Sequence, residues 1–284
     1  MAILSCNFNS SCLGRTVSFQ AILPVNAFSP ESSENTSNVE TERSGRQLSD
    51  NQMPDSQISN KQKPLKTLYL LHGITGNDID WLIGTRVAHY AQSKGLAVIM
   101  PAGENGFYTD NNSTNRFGEY VGRELVHATR SMFHLSEKRE DTFIGGLSMG
   151  GYGALRNGLK YSGTFGKIVA LSSALVVGKA ATATNEPNQW HFAKKEYFDV
   201  VFGDPDKLEG GDLDVKALAA NHARHAQIYM ACGTEDTLLE KNREFRDYLQ
   251  SIEADLDYVE APGDHDWKFW DTYIEKGIEW LYKK

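Results

Sequence analysis

The sequence predicts an α/β fold in which a mostly parallel sheet carries helices on both faces. The chain has 284 residues, of which 40% are hydrophobic, so it can build one large domain around a sizeable core. From about residue 67 onward, short apolar segments alternate with longer segments whose apolar residues recur at helical spacing. Short apolar strands are typical of parallel sheets that are buried on both sides. The alternation therefore predicts a doubly covered sheet in a single domain over residues 1–284.

The predicted strands are eight short segments, covering residues 3–8, 16–23, 67–71, 96–100, 142–144, 168–171, 228–231 and 256–259. The first two alternate in polarity and are joined by a short polar turn, so we expect them to form an antiparallel edge. The predicted helices cover residues 86–93, 119–133, 149–161 and 237–252. A closing helix follows, whose apolar face is lined by Trp270, Ile274, Ile278 and Leu281.

Two stretches depart from this alternation. Residues 29–63 are rich in Ser, Asn, Glu and Gln and contain no aromatic residue. Such a segment cannot bury enough apolar surface to offset its ordering entropy, so we predict a polar, flexible insert. Residues 172–226 form a long connection between two strands and contain the aromatic sequences Trp190-His191-Phe192 and Tyr197-Phe198. We expect this connection to form a small cap over a site.

The composition limits the class of partner. A net charge of −8 and a pI near 5.5 leave no basic surface to neutralise phosphates, so a nucleic-acid partner is not expected. No apolar run reaches the length of about 18 residues that a membrane-spanning helix needs. The N-terminal sequence lacks the basic and apolar regions of a secretory signal, so we expect a cytoplasmic protein. A small, neutral or weakly polar substrate fits this composition. The oligomeric state stays open, and a homo-oligomer is one expectation because such assemblies are common among soluble enzymes.

The most informative motif is Gly146-Leu147-Ser148-Met149-Gly150, which lies between a predicted strand and a predicted helix. Gly-x-Ser-x-Gly in this context predicts a nucleophile elbow, a sharp turn that exposes a serine hydroxyl. The two glycines stand where a side chain would collide with neighbouring backbone. The turn also places the Met149 backbone N–H at a helix N-terminus, where a developing oxyanion is stabilised.

A serine nucleophile needs a base and an orienting acid, and in α/β-hydrolases these follow the serine in the order acid, then histidine. Asp236 follows the strand at 228–231, and His265 follows the strand at 256–259, so both lie where this order requires. Glu235, Asp264 and Asp266 are alternative acids. Direct neighbours of a histidine rarely turn back onto its ring, and Asp266 is also suited to cap the following helix.

A second anchor is the sequence Leu71-His72-Gly73-Ile74 at the end of an apolar strand. The strand places this loop beside the predicted elbow, so the Ile74 N–H can point at a substrate oxygen. Together with the Met149 N–H it would form an oxyanion hole, in which each donor contributes roughly 10²–10³ in rate. We expect His72 to brace this loop rather than to react, although a simple strand-ending turn is the alternative interpretation.

Several motifs together resemble the esterase D-type family of putative esterases, in particular bacterial tributyrin esterases. The motifs are Leu71-His72-Gly73 followed by Gly76 and Trp81, Gly106-Phe107-Tyr108-Thr109-Asp110, the glycine-rich sequence at 146–153, and His265-Asp266-Trp267-Lys268-Phe269-Trp270. The resemblance runs from about Ala2 to the closing helix and is interrupted by residues 29–63. It implies an α/β-hydrolase fold, a Ser148–Asp236–His265 triad, oxyanion donors at Ile74 and Met149, and no cofactor or metal.

The sequence thus predicts a serine carboxylesterase that hydrolyses short-chain acyl esters of small molecules. Trp81, Tyr108 and Trp267 lie on loops at the predicted carboxyl edge of the sheet, where they could form a substrate pocket or pack beneath the loops. An S-formylglutathione hydrolase-like thioesterase is one alternative, and an acetyl or feruloyl esterase acting on carbohydrate esters is another. Related S-formylglutathione hydrolases carry a cysteine-containing loop where this chain has Gly73-Ile74-Thr75-Gly76-Asn77, which favours an oxygen ester.

Overall fold

The computed structural model describes residues 1–25, 63–110 and 114–283. Within these residues the chain forms one eight-stranded sheet, and every predicted strand is present. The strands are β1 (Ala2–Ser10), β2 (Arg15–Leu23), β3 (Lys66–Leu71), β4 (Leu96–Pro101), β5 (Thr142–Leu147), β6 (Lys167–Leu171), β7 (Gln227–Gly233) and β8 (Leu256–Ala261). The polar insert predicted at residues 29–63 lies outside the described residues, apart from Lys63.

The strand order across the sheet is β1-β2-β4-β3-β5-β6-β7-β8. β1 pairs with β2 and β2 with β4 in antiparallel fashion, while all the other neighbours are parallel. The predicted antiparallel N-terminal edge is therefore confirmed. Because β3 and β5 to β8 are parallel, the loops that follow them open at one edge of the sheet, which is where functional residues gather in this class of fold.

The helices in the described residues lie between the strands or after the last strand, as the alternation predicted. They are α1 (Asp80–Gly84), α2 (Val87–Lys94), α3 (Phe117–Glu119), α4 (Leu125–Met132), α5 (Met149–Lys160), α6 (Lys195–Phe202), α7 (Val215–His222), α8 (Leu239–Ser251) and α9 (Trp267–Leu281). A π-helical turn at Tyr120–Glu124 joins α3 to α4, so the predicted helix at 119–133 is continuous but not regular. None of these helices is long and apolar enough to span a bilayer.

Helices cover both faces of the sheet, and each face has its own apolar core. Leu68 and Leu70 of β3 pack into the core formed with α1, α2 and α9. Tyr69 and Leu71 of the same strand point to the opposite core, which α4, α5 and α8 complete. Alternate residues of one strand thus enter different cores, which explains why the strand is apolar throughout. The predicted apolar face of the closing helix is buried as expected.

The connection between β6 and β7 spans residues 172–226 and contains α6 and α7. The buried guanidinium of Arg156 links this connection to the rest of the molecule. Arg156 of α5 is fully buried and donates to Asp110 Oδ2 at 3.1 Å and to Asp212 Oδ2 at 2.7 Å. It also donates to the Tyr108 carbonyl at 3.1 Å.

Burial alone would raise the pKa of Asp110, but the Arg156 guanidinium, the Glu119 amide and Lys160 lower it. The buried Arg156 and the half-buried Asp110 therefore form an ion pair in which both groups are charged.

Replacing Arg156 with Met should destabilise the fold by about 3 kcal/mol, because it leaves the Asp110 carboxylate without its buried partner. Urea unfolding followed by tryptophan fluorescence measures this loss. Lys160→Met is the matched control, because Lys160 also contacts Asp110 and Asp212 but is partly exposed. Its loss should be no more than about 1 kcal/mol. Equal losses in the two variants would contradict the assigned importance of the buried guanidinium.

Candidate active site

Ser148 lies in a strained turn between β5 and α5. Its φ of 53° and ψ of −117° place a non-glycine residue in a sparsely populated conformation that costs about 1–3 kcal/mol. A Cβ on Gly146 would collide with the Gly150 carbonyl, and a Cβ on Gly150 would collide with the Leu71 carbonyl. The close backbone approach predicted from Gly-x-Ser-x-Gly is therefore confirmed. Only glycine leaves room for strand, turn and helix to meet here.

The structure brings together Ser148, His265 and Asp236, which come from three separate loops. His265 Nε2 lies 3.0 Å from Ser148 Oγ, and His265 Nδ1 lies 2.9 Å from Asp236 Oδ2. A carboxylate can only accept here, so Nδ1 carries the proton and Nε2 is left to accept from the serine hydroxyl. Ser148 and Asp236 are buried, whereas 29% of the His265 side chain is exposed. The ring can therefore exchange protons with an entering molecule.

Asp236 is held as an ionised acceptor. Its second oxygen, Oδ1, accepts from the Leu238 backbone N–H at 2.8 Å. Burial would raise the pKa of Asp236, but hydrogen bonds from His265 and the Leu238 amide outweigh burial and lower it. The carboxylate is therefore ionised at neutral pH and orients the Nδ1–H tautomer of His265.

The three alternative acids, Glu235, Asp264 and Asp266, form hydrogen bonds to backbone amides and do not contact the His265 ring nitrogens. Asp266 caps α9 by accepting from the Phe269 N–H at 2.9 Å, as the sequence suggested. The Glu235 carboxylate accepts from the Gly263 N–H, and the Glu235 N–H donates to the Gly263 carbonyl at 3.0 Å. Asp264 accepts from the His265 backbone N–H. The two bonds between Glu235 and Gly263 fasten the loop after β7 to the loop after β8, and so they help to fix the distance between Asp236 and His265.

His72 braces the loop after β3. Its ring is buried, with Nε2 accepting from the Gly103 N–H at 2.8 Å and Nδ1 lying 2.7 Å from the Gly73 carbonyl. Because Nε2 accepts, the proton must be on Nδ1. Burial lowers the pKa of His72, so the imidazole is neutral. The predicted bracing role agrees with this geometry.

The two predicted oxyanion donors, Ile74 and Met149, belong to segments that adjoin Ser148. A Cβ on Gly73 would stand 3.5 Å from Ser148 Cβ, so the loop that contains Ile74 contacts the elbow directly. Met149 is the first residue of α5, and its N–H belongs to the unpaired group that a helix N-terminus presents. Within the described part of the chain, no acceptor engages the Ile74 or Met149 N–H.

Asn105 supports this loop and was not found from the sequence. Its Oδ1 accepts from the Thr75 N–H at 2.7 Å, next to Ile74, while its carbonyl accepts from the Tyr197 hydroxyl at 2.6 Å. Thr75 has a φ of 65°, which is strained for a β-branched residue. Asn105 therefore links the strained loop to α6 of the 172–226 connection. Its partners lie 30 and 92 positions away, so no local pattern marks it.

The three predicted pocket aromatics have different surroundings. Trp81 and Tyr108 are 0% exposed, and they donate to the carbonyls of Leu71 and His72 respectively, each at 3.0 Å. They pack beneath the loops, which is the alternative that the sequence left open. Full burial leaves them no surface to offer a substrate in this conformation. Trp267 is half-buried and packs edge-on against Trp81 with ring centroids 5.7 Å apart, so its role as a pocket wall stays a prediction.

A cavity of about 530 Å³ lies between the 172–226 connection and the helices α5 and α8. Its walls include Tyr152, Leu175, Val215 and Phe245, but not Ser148, Asp236 or His265. Tyr152 stands one helical turn beyond Ser148. The cavity is therefore a neighbour of the hydrogen-bonded cluster and not its entrance.

This sheet, elbow and ordered acid and histidine loops define an α/β-hydrolase. The chain belongs to the putative esterase family, whose model matches residues 47–281. It is 42% identical over its whole length, and over 99% of the relative's length, to an acetyl esterase of Caldicellulosiruptor saccharolyticus. It is a carboxylic ester hydrolase of the serine esterase class.

Two solved structures from Staphylococcus aureus have the same architecture. The fluorophosphonate-binding serine hydrolase F is 27% identical, with a TM-score of 0.77 over 100% of this chain and 99% of the other. An S-formylglutathione hydrolase is 29% identical, with a TM-score of 0.75 over 99% of both chains. The predicted family and fold are thus confirmed.

Replacing Asn105 with Ala should lower kcat by about 3- to 10-fold, because a hydrogen bond worth roughly 1 kcal/mol no longer holds the Thr75 amide beside Ile74. Steady-state hydrolysis of p-nitrophenyl acetate measures the change. Asn77→Ala is the matched control, since it removes a similar bond, from the Ile79 N–H to Asn77 Oδ1, further along the segment. Equal effects on kcat in both variants would show that Asn105 has no special role.

Proposed function

We propose that this protein hydrolyses short-chain acyl esters through a catalytic triad of Ser148, His265 and Asp236. The observation that carries the proposal is the continuous chain of hydrogen bonds from Ser148 Oγ through both ring nitrogens of His265 to Asp236, at 3.0 and 2.9 Å. These distances are suitable for proton transfer. The strained turn at Ser148 supports the same role, because backbone strain of this kind is concentrated at functional sites.

In the first half of the reaction, Ser148 Oγ attacks the ester carbonyl carbon while His265 Nε2 takes its proton. The carbonyl oxygen becomes an oxyanion that accepts hydrogen bonds from the Ile74 and Met149 N–H groups. Asp236 stabilises the imidazolium without taking up the proton itself. His265 then gives its proton to the alcohol oxygen as the carbon–oxygen bond breaks, which leaves an acyl group on Ser148.

In the second half, water replaces the alcohol. His265 takes a proton from the water as its oxygen attacks the acyl carbon, and the same amide groups hold the second oxyanion. The bond to Ser148 Oγ then breaks, the proton returns from Nε2 to Oγ, and the carboxylic acid leaves. All groups in this cycle belong to the protein or the two substrates.

An acetyl ester is the substrate class that the comparisons favour, because the 42% identical relative is named an acetyl esterase. The 172–226 connection would cover the site as a cap, since Tyr197 and the Val201 carbonyl contact the loop after β4. A single domain over residues 1–284 fits the continuous sheet. Cytoplasmic location and homo-oligomerisation stay predictions from the sequence.

A thioesterase acting on S-formylglutathione is the second candidate. The Staphylococcus aureus S-formylglutathione hydrolase shares 29% identity over nearly the whole chain, which favours it. The same triad would serve a thioester, because the attack on the carbonyl carbon is unchanged and only the leaving atom differs. The loop Gly73-Ile74-Thr75-Gly76-Asn77 without a cysteine argues for an oxygen ester instead.

Ser148→Ala should abolish turnover, and Asp236→Asn should lower kcat by about 10⁴, because an amide stabilises the wrong imidazole tautomer. Hydrolysis of p-nitrophenyl acetate and labelling by a fluorophosphonate probe measure both variants. Asp266→Asn is the matched control, since asparagine caps a helix as well as aspartate does and activity should persist. Wild-type activity in either of the first two variants would refute the triad.

A panel of acyl esters should separate the candidate substrates. We expect kcat/KM to be highest for acetyl esters and to fall as the acyl chain lengthens. S-formylglutathione should be hydrolysed less efficiently than p-nitrophenyl acetate. If S-formylglutathione is instead the better substrate, the thioesterase assignment replaces the esterase assignment, and the triad assignment is unaffected.

A further inference from the structure

Trp270 packs against the imidazole of His265. The two rings meet edge to face, with centroids 4.9 Å apart and planes 88° apart. The Trp270 indole Nε1 donates a hydrogen bond to Ser172 Oγ at 3.1 Å. Ser172 is fully buried, and only 7% of Trp270 is exposed. The catalytic mechanism proposed above uses neither residue.

Ser172 occupies a constrained position at the end of β6. Its φ is 46°, in the left-handed region, and its N–H donates to the Ala231 carbonyl of β7 at 2.8 Å. This bond joins the end of β6 to β7, the strand that leads into the loop of Asp236. A strained serine in a fully buried position needs compensating contacts, and its hydroxyl supplies them.

The indole determines which way the Ser172 proton points. An indole N–H can only donate, so Ser172 Oγ must accept from Trp270, and its single proton is left for another acceptor. Two acceptors are near. Burial raises the pKa of Asp236, and the Ser172 hydroxyl is one of the groups that lower it. Burial also raises the pKa of the Cys232 thiol to about 12, so Cys232 is a neutral and weaker acceptor than the carboxylate.

We infer that Trp270 and Ser172 are positioning residues that hold Asp236 and His265 in register. The Trp270 N–H donates to Ser172 Oγ, which leaves the Ser172 proton for the Asp236 carboxylate. The Trp270 ring packs edge to face against the imidazole and limits its movement. This inference rests on the proposed roles of Asp236 and His265. It adds a third donor to the carboxylate, beside Leu238 and His265, and so restricts its rotation away from Nδ1.

Two substitutions test the inference. Ser172→Ala removes the hydroxyl, and Trp270→Phe removes the indole N–H but keeps an aromatic ring against His265. Each should lower kcat by about 10-fold, the effect of one hydrogen bond to a charged group, with KM unchanged. The rate of fluorophosphonate labelling should fall by the same factor, because it reports the reactivity of Ser148 without substrate binding.

The chain offers a matched control for each variant. Ser173→Ala removes the next hydroxyl, which is also buried but has no hydrogen-bond partner in the described part of the chain. Trp280→Phe also replaces a tryptophan with phenylalanine on α9. Trp280 packs against Tyr229 near the C-terminal end of this helix, whereas His265 precedes its first residue. Both controls should keep wild-type kcat. If Ser172→Ala and Trp270→Phe match their controls, the inference is wrong.

A double-mutant cycle separates positioning from general stability. In an Asp236→Asn background, Ser172→Ala and Trp270→Phe should cause no further loss of kcat, because they act through the carboxylate. A purely structural role would give the same 10-fold loss in both backgrounds and would overturn the inference. If Ser172→Ala does not fold, Trp270→Phe carries the test alone. Activity in Ser148→Ala would instead overturn the proposed triad, so the two failures are distinguishable.

Discussion

The backbone at Ser148 is the constraint on which the rest of the site depends. Ser148 has a positive φ, and hydrogen bonds to both its backbone N–H and its carbonyl hold it in that conformation. Its N–H donates to the Leu171 carbonyl at 2.9 Å, and its carbonyl accepts from Ala174 at 2.9 Å and from Tyr152 at 3.1 Å. These bonds tie the elbow to the sheet, to the 172–226 connection and to α5 at once. They compensate for strain that an isolated turn could not sustain.

The parallel strands bring the other functional groups to the hydroxyl of Ser148. The loops after β3, β5, β7 and β8 all open at one edge of the sheet, so groups far apart in the chain arrive beside one hydroxyl. The local surroundings of each titratable group then determine whether it is charged. Hydrogen bonds keep Asp236 ionised although it is buried, whereas burial keeps His72 neutral. Two histidines at the same edge of the sheet can therefore differ in role: His72 braces a backbone loop and His265 faces Ser148.

The relatives of this chain place different chemistry on the same scaffold. An acetyl esterase and an S-formylglutathione hydrolase both align with it along almost their full lengths. Elbow and sheet are common to the architecture, so the choice of substrate must lie in the loops above them. In this chain Asn105 and Arg156 join those loops to the 172–226 connection, through Tyr197 and Asp212. Contacts of this kind hold the loops after β3 and β4 in place.

The sequence by itself determined the strands, most helices, the elbow and the order of acid and histidine. Each of these depends on neighbours in the chain: apolar periodicity for the strands, glycine spacing around Ser148, and strand endings before Asp236 and His265. Only the tertiary structure decided that Trp81 and Tyr108 are buried, and that Trp270 reaches Ser172 across 98 positions. A pattern of neighbouring residues in the sequence indicates the conformation that a segment prefers. Which distant group a side chain meets, and how much water it loses there, is set by packing alone.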